Sequence, residues 1–91
     1  MSAPAHLELS WSINEAPDIN GYNIYRSEDA AKRGERLNRE LLLTPAFRDM
    51  SAVPGRPYSY TVTAVDRAGN ESLPSAPLSA TVPAETDKKN P

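Results

Sequence analysis

The fold class follows from residues 54–72, which read PGRPYSYTVTAVDRAGNES. After the turn-forming Pro54-Gly55 pair, two kinds of side chain alternate along the chain. One face carries Tyr58, Tyr60, Val62 and Ala64, and the other carries Ser59, Thr61, Thr63 and Val65. A two-residue repeat that is rich in aromatic and β-branched side chains is typical of a strand, and the turn-forming residues 66–70 end it. The stretch predicts a central β-strand followed by a loop.

Four other segments show shorter strand patterns. They are residues 7–13, 22–26, 46–49 and 76–82. Their inward-facing side chains are predicted to be Leu7, Leu9, Trp11, Ile13, Tyr22, Ile24, Phe47, Leu78, Ala80 and Val82. Pro77 restricts the first part of the last segment to an unpaired or edge position, because proline has no N–H to donate. Short strands with frequent turns indicate an antiparallel β-sandwich.

The segment between the second and third of these strands is ambiguous. Ser27 is a suitable cap for a short helical turn over residues 28–33, which Gly34 would end. Residues 35–43, ERLNRELLL, have good helix propensity, but their leucines also fit one side of an irregular strand. Because strands flank the segment, we favour a short edge strand and a loop, with Arg36 and Arg39 protecting that edge from other chains.

Composition excludes several classes of site. The 91 residues are 38% hydrophobic and carry a formal net charge of −2, which suits one domain with a small core. Without cysteine and with His6 as the single histidine, the sequence predicts no disulfide, no metal site and no histidine-based triad. It contains no apolar run of about 18 residues that would predict a membrane span, and its first residues do not have the pattern of a signal peptide.

The basic residues are concentrated in one region. Residues 26–48 contain six basic side chains, but four acidic ones are interleaved among them. Mixed charges of this kind indicate a solvated edge rather than a nucleic-acid surface. We therefore predict no catalytic residue, no metal, no cofactor and no nucleic-acid partner.

Five motifs occur together in an order that matches a known family. They are Trp11, GYNIYR at 21–26, PGRPY at 54–58, TAVD at 63–66 and GNES at 69–72. Over residues 7–83 the chain thereby resembles the fibronectin type III domain, particularly its bacterial members. The resemblance implies an all-β, immunoglobulin-like antiparallel β-sandwich of about six to seven strands. In that family, strands A, B and E form one sheet and strands G, F, C and C′ form the other.

The resemblance and the alternation together assign structural roles. The predicted core consists of Leu9, Trp11, Tyr22, Ile24, Tyr58, Tyr60 and Val62. Tyr58 matches the tyrosine corner of the family, whose hydroxyl bonds to nearby backbone. The leucine that the family usually has six residues before this tyrosine is replaced by Ala52.

The two ends of the chain differ from the rest. Only residues 1–6 precede the strand-B segment, so they are predicted to be a lead or a stub of strand A. We expect the open edge of strand B to be filled by another chain or by the tail, which makes self-association through this edge one prediction. Residues 84–91, AETDKKNP, are polar and lack periodicity, which predicts a disordered tail or linker.

The resemblance implies a non-catalytic spacer or protein-interaction module of a larger secreted or cell-envelope protein, with neighbouring domains of the parent chain as its partners. The alternative is a carbohydrate-binding or adhesive accessory module that acts through its loops or the face of strands C and C′. Three residues are candidates for contact with a protein or glycan ligand: Tyr25, which alternates outward, and Arg67 and Asn70 in the 66–72 loop.

Overall fold

The computed structural model describes residues 6–12, 18–29, 31–32 and 34–83. Within these residues the secondary structure consists of strands and turns. The strands are β1 (Leu7–Ser10), β2 (Ile19–Ser27), β3 (Glu35–Arg36), β4 (Ala46–Asp49), β5 (Pro57–Asp66) and β6 (Leu78–Thr81). None of the described segments is a helix of the length and apolarity that crossing a membrane requires.

The strands form two antiparallel sheets. One sheet pairs β1 with β4, and the other has the order β3-β2-β5-β6. This arrangement corresponds to strands B and E in one layer and C′, C, F and G in the other. The predicted all-β, immunoglobulin-like sandwich is therefore confirmed.

The pairing of β2 with β5 is the longest ladder in the molecule. It runs from Ile19 opposite Asp66 to Ser27 opposite Ser59, with an irregularity between Ile19 and Gly21. Directly opposed residues of an antiparallel pair lie on the same face of the sheet. Ile24 opposite Val62 therefore sets the face that is directed at the smaller sheet.

The core lies between the two sheets. Its buried cluster consists of Leu9, Ile24, Ala52, Tyr58, Tyr60 and Val82, and Trp11 and Val62 are partly buried against it. Tyr22, which is also buried, meets the Trp11 ring edge to face at a centroid distance of 5.8 Å. All of the side chains predicted for the core thus lie in it or pack against it, and Ala52 occupies a core position as well.

Tyr58 forms the predicted corner. Its hydroxyl accepts a hydrogen bond of 3.0 Å from the backbone N–H of Val53, in the loop that joins β4 to β5. The loop is consequently fixed to the strand that follows it.

The last strand is shorter than predicted. β6 begins at Leu78 rather than Ala76, because two serines pair with β5 before it. Ser72 donates its N–H to the Ala64 carbonyl (2.8 Å) and accepts the Ala64 N–H on its hydroxyl (2.9 Å). Ser75 makes the same two bonds to Val62, at 2.9 and 3.0 Å. A serine hydroxyl here takes the place of a strand carbonyl.

Leu78 shares the face of Tyr60 but is 51% exposed, although it was predicted to face the core. β6 is the edge strand of its sheet, and the facing sheet has only two strands among the described residues. A core-facing direction at this edge therefore does not bury the side chain.

Between β2 and β4 the predicted edge strand is present as β3, but the predicted helical turn is wrong. The Ser27 hydroxyl accepts the N–H of Asp29, two residues away, which closes a turn instead of capping a helix. The described residues of 28–33 form bends and a turn. Gly34 has φ +84°, and a Cβ there would lie 2.1 Å from the Arg26 carbonyl oxygen, so glycine is required.

Beyond β3, the chain follows the edge of β2 without forming a regular strand. Leu37 donates its N–H to the Ile24 carbonyl (2.9 Å), and Leu42 exchanges two 2.9 Å backbone bonds with Tyr22. Between them, the Asn38 side chain accepts the Ile24 N–H at 2.9 Å. These bonds to β2 outweigh the helix propensity of the segment.

Several sequence predictions lie outside the described residues. They concern the lead or strand A stub before His6, the inward direction of Ile13, and the tail at 84–91. No described strand pairs with the second edge of β1. Self-association through that edge therefore stays a prediction.

The Tyr58→Phe variant tests the corner. It keeps the ring and removes the acceptor of the Val53 N–H, so the free energy of unfolding is expected to fall by about 1–2 kcal/mol. Urea unfolding measures this loss. Ser79→Ala, at an exposed position of β6, is the control and is expected to change stability by less than about 0.5 kcal/mol. Equal stability of Tyr58→Phe and the parent would contradict the assignment.

Candidate functional site

A charged cluster joins the two sheets at the end of β4. The Asp49 carboxylate, which is 2% exposed, accepts bonds from the Tyr60 hydroxyl (2.7 Å) and from Arg26 Nη1 (2.9 Å). It also accepts the N–H (3.0 Å) and the hydroxyl (2.8 Å) of Ser51. The Arg26 guanidinium lies 4.6 Å from the centre of the Tyr58 ring, within cation–π range.

The cluster is stabilised in its ionised form. Burial opposes the charge on Asp49, but hydrogen bonds from Tyr60, Ser51 and Arg26 outweigh burial and lower its pKa below the ordinary value. Burial also opposes the charge on Arg26, yet the hydrogen bond and the charge of Asp49 raise the pKa of Arg26 overall. Burial, together with the bond to Asp49, raises the pKa of the Tyr60 hydroxyl. These groups therefore hold an ion pair between the sheets.

A second polar cluster covers the outer face of the larger sheet. One oxygen of the Glu71 carboxylate accepts hydrogen bonds from Thr63 Oγ1 (2.5 Å), Asn23 Nδ2 (3.3 Å) and the Tyr25 hydroxyl. Thr63 and Asn23 oppose each other on β5 and β2. Asn38 Nδ2 continues the network by donating to Asn23 Oδ1 at 2.8 Å.

Tyr25 belongs to this outer face, as the alternation predicts, but its ring is not an exposed platform. The residue is only 8% exposed, with its hydroxyl bonded to Glu71 and with Arg36 directly across on β3. The accessible groups of the neighbouring depression are instead the exposed Arg36 and Arg39. Stacking of a ligand on Tyr25 would require these surroundings to move.

Arg67 and Asn70 lie together in the loop after β5. The Asp66 carboxylate organises this loop by accepting the N–H groups of Ala68 (3.0 Å) and Asn70 (2.8 Å) and the Asn70 side-chain amide (3.2 Å). The bonds from Asn70, followed by those from Ala68 and Gly69, lower the pKa of Asp66. The loop therefore has a defined shape on which the Arg67 side chain is exposed.

The predicted contact residues fall into two groups. Arg67 and Asn70 share one loop, while Tyr25 lies on the sheet face, and Glu71 connects the two places through its bond to Tyr25. In the part of the chain that the structure describes, no three histidine or acidic side chains are grouped so that they could hold a metal ion.

Sequence reasoning missed Asp49, Glu71 and Asn38 as the centres of these networks. The sequence did contain an indication that a buried acidic partner such as Asp49 was needed. Arg26 follows Tyr22 and Ile24 at the same two-residue spacing, which puts a charge on the core face, and a buried charge needs a partner. Glu71 lies within the GNES motif, but its role as an acceptor could not be predicted, because two of its three donors, Asn23 and Tyr25, are distant along the chain.

Solved proteins share this arrangement of strands. A solved Fn3-like protein from Clostridium thermocellum superimposes with a TM-score of 0.73 and 29% identity, covering 87% of this chain and 78% of that one. The chain is a fibronectin type III-like (Fn3-like) module. A β-1,2-glucanase structure from Parabacteroides distasonis also matches the module, with a TM-score of 0.73 and 34% identity over 92% of this chain and 12% of the glucanase. No family model matches the sequence.

Curated relatives contain the Fn3-like module as a small part. A poly(3-hydroxybutyrate) depolymerase from Ralstonia pickettii is 39% identical over 89% of this chain, which spans 15% of the depolymerase. An amylopullulanase from Thermoanaerobacterium saccharolyticum is 37% identical over 78% of this chain, which spans 5% of that enzyme. The match is therefore to one unit of each enzyme.

Asp49→Asn tests the ion pair of the Fn3-like module. The variant leaves the Arg26 charge without its partner, so the free energy of unfolding at pH 7 is expected to fall by about 3–5 kcal/mol. Because the folded-state pKa of Asp49 is depressed, its stabilisation is fully present above the ordinary carboxyl pKa of about 4 and is lost as the pH falls below it. Asp49→Asn is expected to flatten this acid-side loss.

Urea unfolding from pH 7 to pH 2 makes the measurement. Glu8→Gln removes an exposed carboxylate that pairs with the exposed Arg48, so this control is expected to change stability at pH 7 by less than about 1 kcal/mol. If Asp49→Asn and Glu8→Gln cost the same at pH 7, the buried pair does not hold the sheets together.

Proposed function

We propose that this Fn3-like module is a non-catalytic spacer or protein-interaction module of a larger secreted or cell-envelope protein. The observation that carries the proposal is the share of each relative that the module covers. Over 89% of its own length the module matches 15% of the depolymerase. Over 78% of its own length it matches 5% of the amylopullulanase. A unit that recurs in enzymes of different named activities is suited to a role common to all of them, which is to position their other parts.

The use of the polar side chains supports the same role. Asp49, Arg26 and Tyr60 bond to one another between the sheets, and Glu71 and Asp66 are occupied by bonds that order the outer face and a loop. Catalytic groups need a cleft in which they converge on a substrate. In this module these charged groups are instead occupied by hydrogen bonds within the sandwich.

The proposed location follows from the chemistry of the relatives' substrates. The names of the depolymerase and the amylopullulanase specify polymers, and polymers of that size do not cross a lipid bilayer. An enzyme that degrades a polymer supplied from outside the cell therefore has to act outside the cytoplasm. A module that accompanies such enzymes is expected in the same place.

Glycan binding is the second candidate function. It is favoured by the depression on the outer face, which the exposed Arg36 and Arg39 flank. Arginine side chains can donate hydrogen bonds to sugar hydroxyls, whereas the amide of the buried Asn38 is occupied by Asn23 and Glu40. The inaccessible ring of Tyr25 removes the stacking contribution that this site would otherwise have.

Module replacement in the longer parent protein tests the spacer role. In one variant an unrelated Fn3-like module replaces residues 6–83, and in the other a flexible Gly/Ser linker of equal contour length does so. A spacer predicts that the unrelated module retains the activity on the polymer, while the linker reduces it about tenfold because the orientation is lost. Both variants should act equally on a short oligomer. Full activity with the flexible linker would contradict the proposal.

Titration of the isolated chain with oligosaccharides of the parent's polymer distinguishes glycan binding from the spacer role. The spacer role predicts no saturable binding. Glycan binding predicts saturable binding that Arg36→Ala combined with Arg39→Ala abolishes, while the exposed Arg48→Ala on the other sheet leaves it unchanged.

A further inference from the structure

The start of the first described strand and the end of the last one lie beside the same loop. Leu7, where β1 begins, is paired with Asp49 at the end of β4. The Val82 carbonyl, just after β6, accepts the N–H of Gly55 at 2.7 Å. Both contacts flank residues 50–56, which connect β4 to β5 and which we call the β4–β5 loop. The polypeptide that follows β6 therefore leaves the sandwich next to this loop.

The β4–β5 loop exposes two large apolar side chains. Met50 is 57% exposed and Val53 is 44% exposed, and the exposed Pro54 and Pro57 adjoin them. The nearby Arg56 and Glu28, 3.5 Å apart, form a charged border. An apolar centre with a polar rim is the usual composition of a contact surface between domains.

This loop is held by bonds on several sides, so its apolar side chains are presented in a fixed position. Val53 donates its N–H to Tyr58, and Arg56 donates its N–H to the Val53 carbonyl at 3.1 Å. Ser51 is bound through both its N–H and its hydroxyl to Asp49. Gly55, at φ +82°, is tied to Val82. Docking on such a loop costs little ordering entropy.

Covalent connection favours a domain of the same chain over a free partner, and the bond from Gly55 to the Val82 carbonyl puts the residues that follow β6 directly against the loop. A domain that follows β6 is tethered beside the loop, and tethering through a short linker gives an effective concentration of the order of millimolar. A small apolar contact is sufficient at that concentration, whereas a free partner would need a larger surface.

We propose that the β4–β5 loop, centred on Met50 and Val53, is the docking surface for the domain that follows this module in the longer parent chain. The inference rests on the proposed spacer function and specifies how the module holds its neighbour. A spacer module can orient a neighbour only if the neighbour is seated on it. The complementary surface is apolar where it meets Met50 and Val53, and polar where it meets Arg56 and Glu28.

Two leucines away from the exit of β6 provide internal controls. Leu43, between the Tyr22–Leu42 bridge and β4, is 81% exposed, and Leu73 is 89% exposed. Leu43 follows the residue that pairs with the start of β2, and Leu73 lies along the edge of β5 beside residues 62–64. They match Met50 and Val53 in apolar character but not in position.

Hydroxyl-radical footprinting of the isolated chain and of the full parent protein tests the docking. Since oxidation of a side chain follows its exposure, the rate at Met50 is expected to fall about fivefold or more in the parent, while the rates at Leu43 and Leu73 stay within twofold. An unchanged rate at Met50 overturns the inference, and so does an equal decrease at all three positions.

A variant pair provides an independent reading. Met50→Ser combined with Val53→Ser in the parent protein is expected to increase the maximum dimension in small-angle scattering, while Leu43→Ser combined with Leu73→Ser leaves it unchanged. In the isolated chain neither pair should lower the melting temperature by more than a few degrees, because all four side chains are exposed. An unchanged maximum dimension for the first pair overturns the docking. The spacer role fails separately, if a flexible linker replaces the module without loss of activity.

Discussion

The antiparallel pairing of β2 with β5 decides which face of the larger sheet is apolar and which is polar. It sets Ile24 opposite Val62 on one face and Asn23 opposite Thr63 on the other. The first face is closed by the small β1–β4 sheet, and the second is covered by the polar network around Glu71. One ladder therefore defines both the apolar core and the polar outer surface, and a shift of one residue would exchange them.

Charged and polar side chains connect and stabilise the strands of this sandwich. The Asp49–Arg26 pair connects the sheets, Tyr60 adds a third strand to the connection, and Asn38 substitutes for a strand partner along the edge of β2. A small domain has a small core, so bonds of this kind contribute a large share of its specificity. The same bonds occupy the groups that a catalytic site would need to be free, which agrees with a positioning role.

The degree to which the fold could be predicted differs between elements for a physical reason. β5 is long, alternates strictly and ends at turn-forming residues, so its signal is local and its bounds were predicted closely. The segment 35–43 carries a helix signal that bonds to β2 override, and only its strand neighbours indicated that outcome. β6 was placed correctly but predicted too long, since Ser72 and Ser75 replace the ladder before Leu78.

The sequence by itself determined the sandwich class, the central strand, the core residues of the described strands other than Leu78, and the Tyr58 corner, because alternation and turn-forming residues act over a few positions. Only the tertiary structure decided that Tyr25 is covered, that Glu71 and Asp49 are the centres of two networks, and that Met50 and Val53 lie beside the exit of the chain. Each of those features depends on groups from distant segments meeting in space, and the distance between such groups is not encoded in any local repeat.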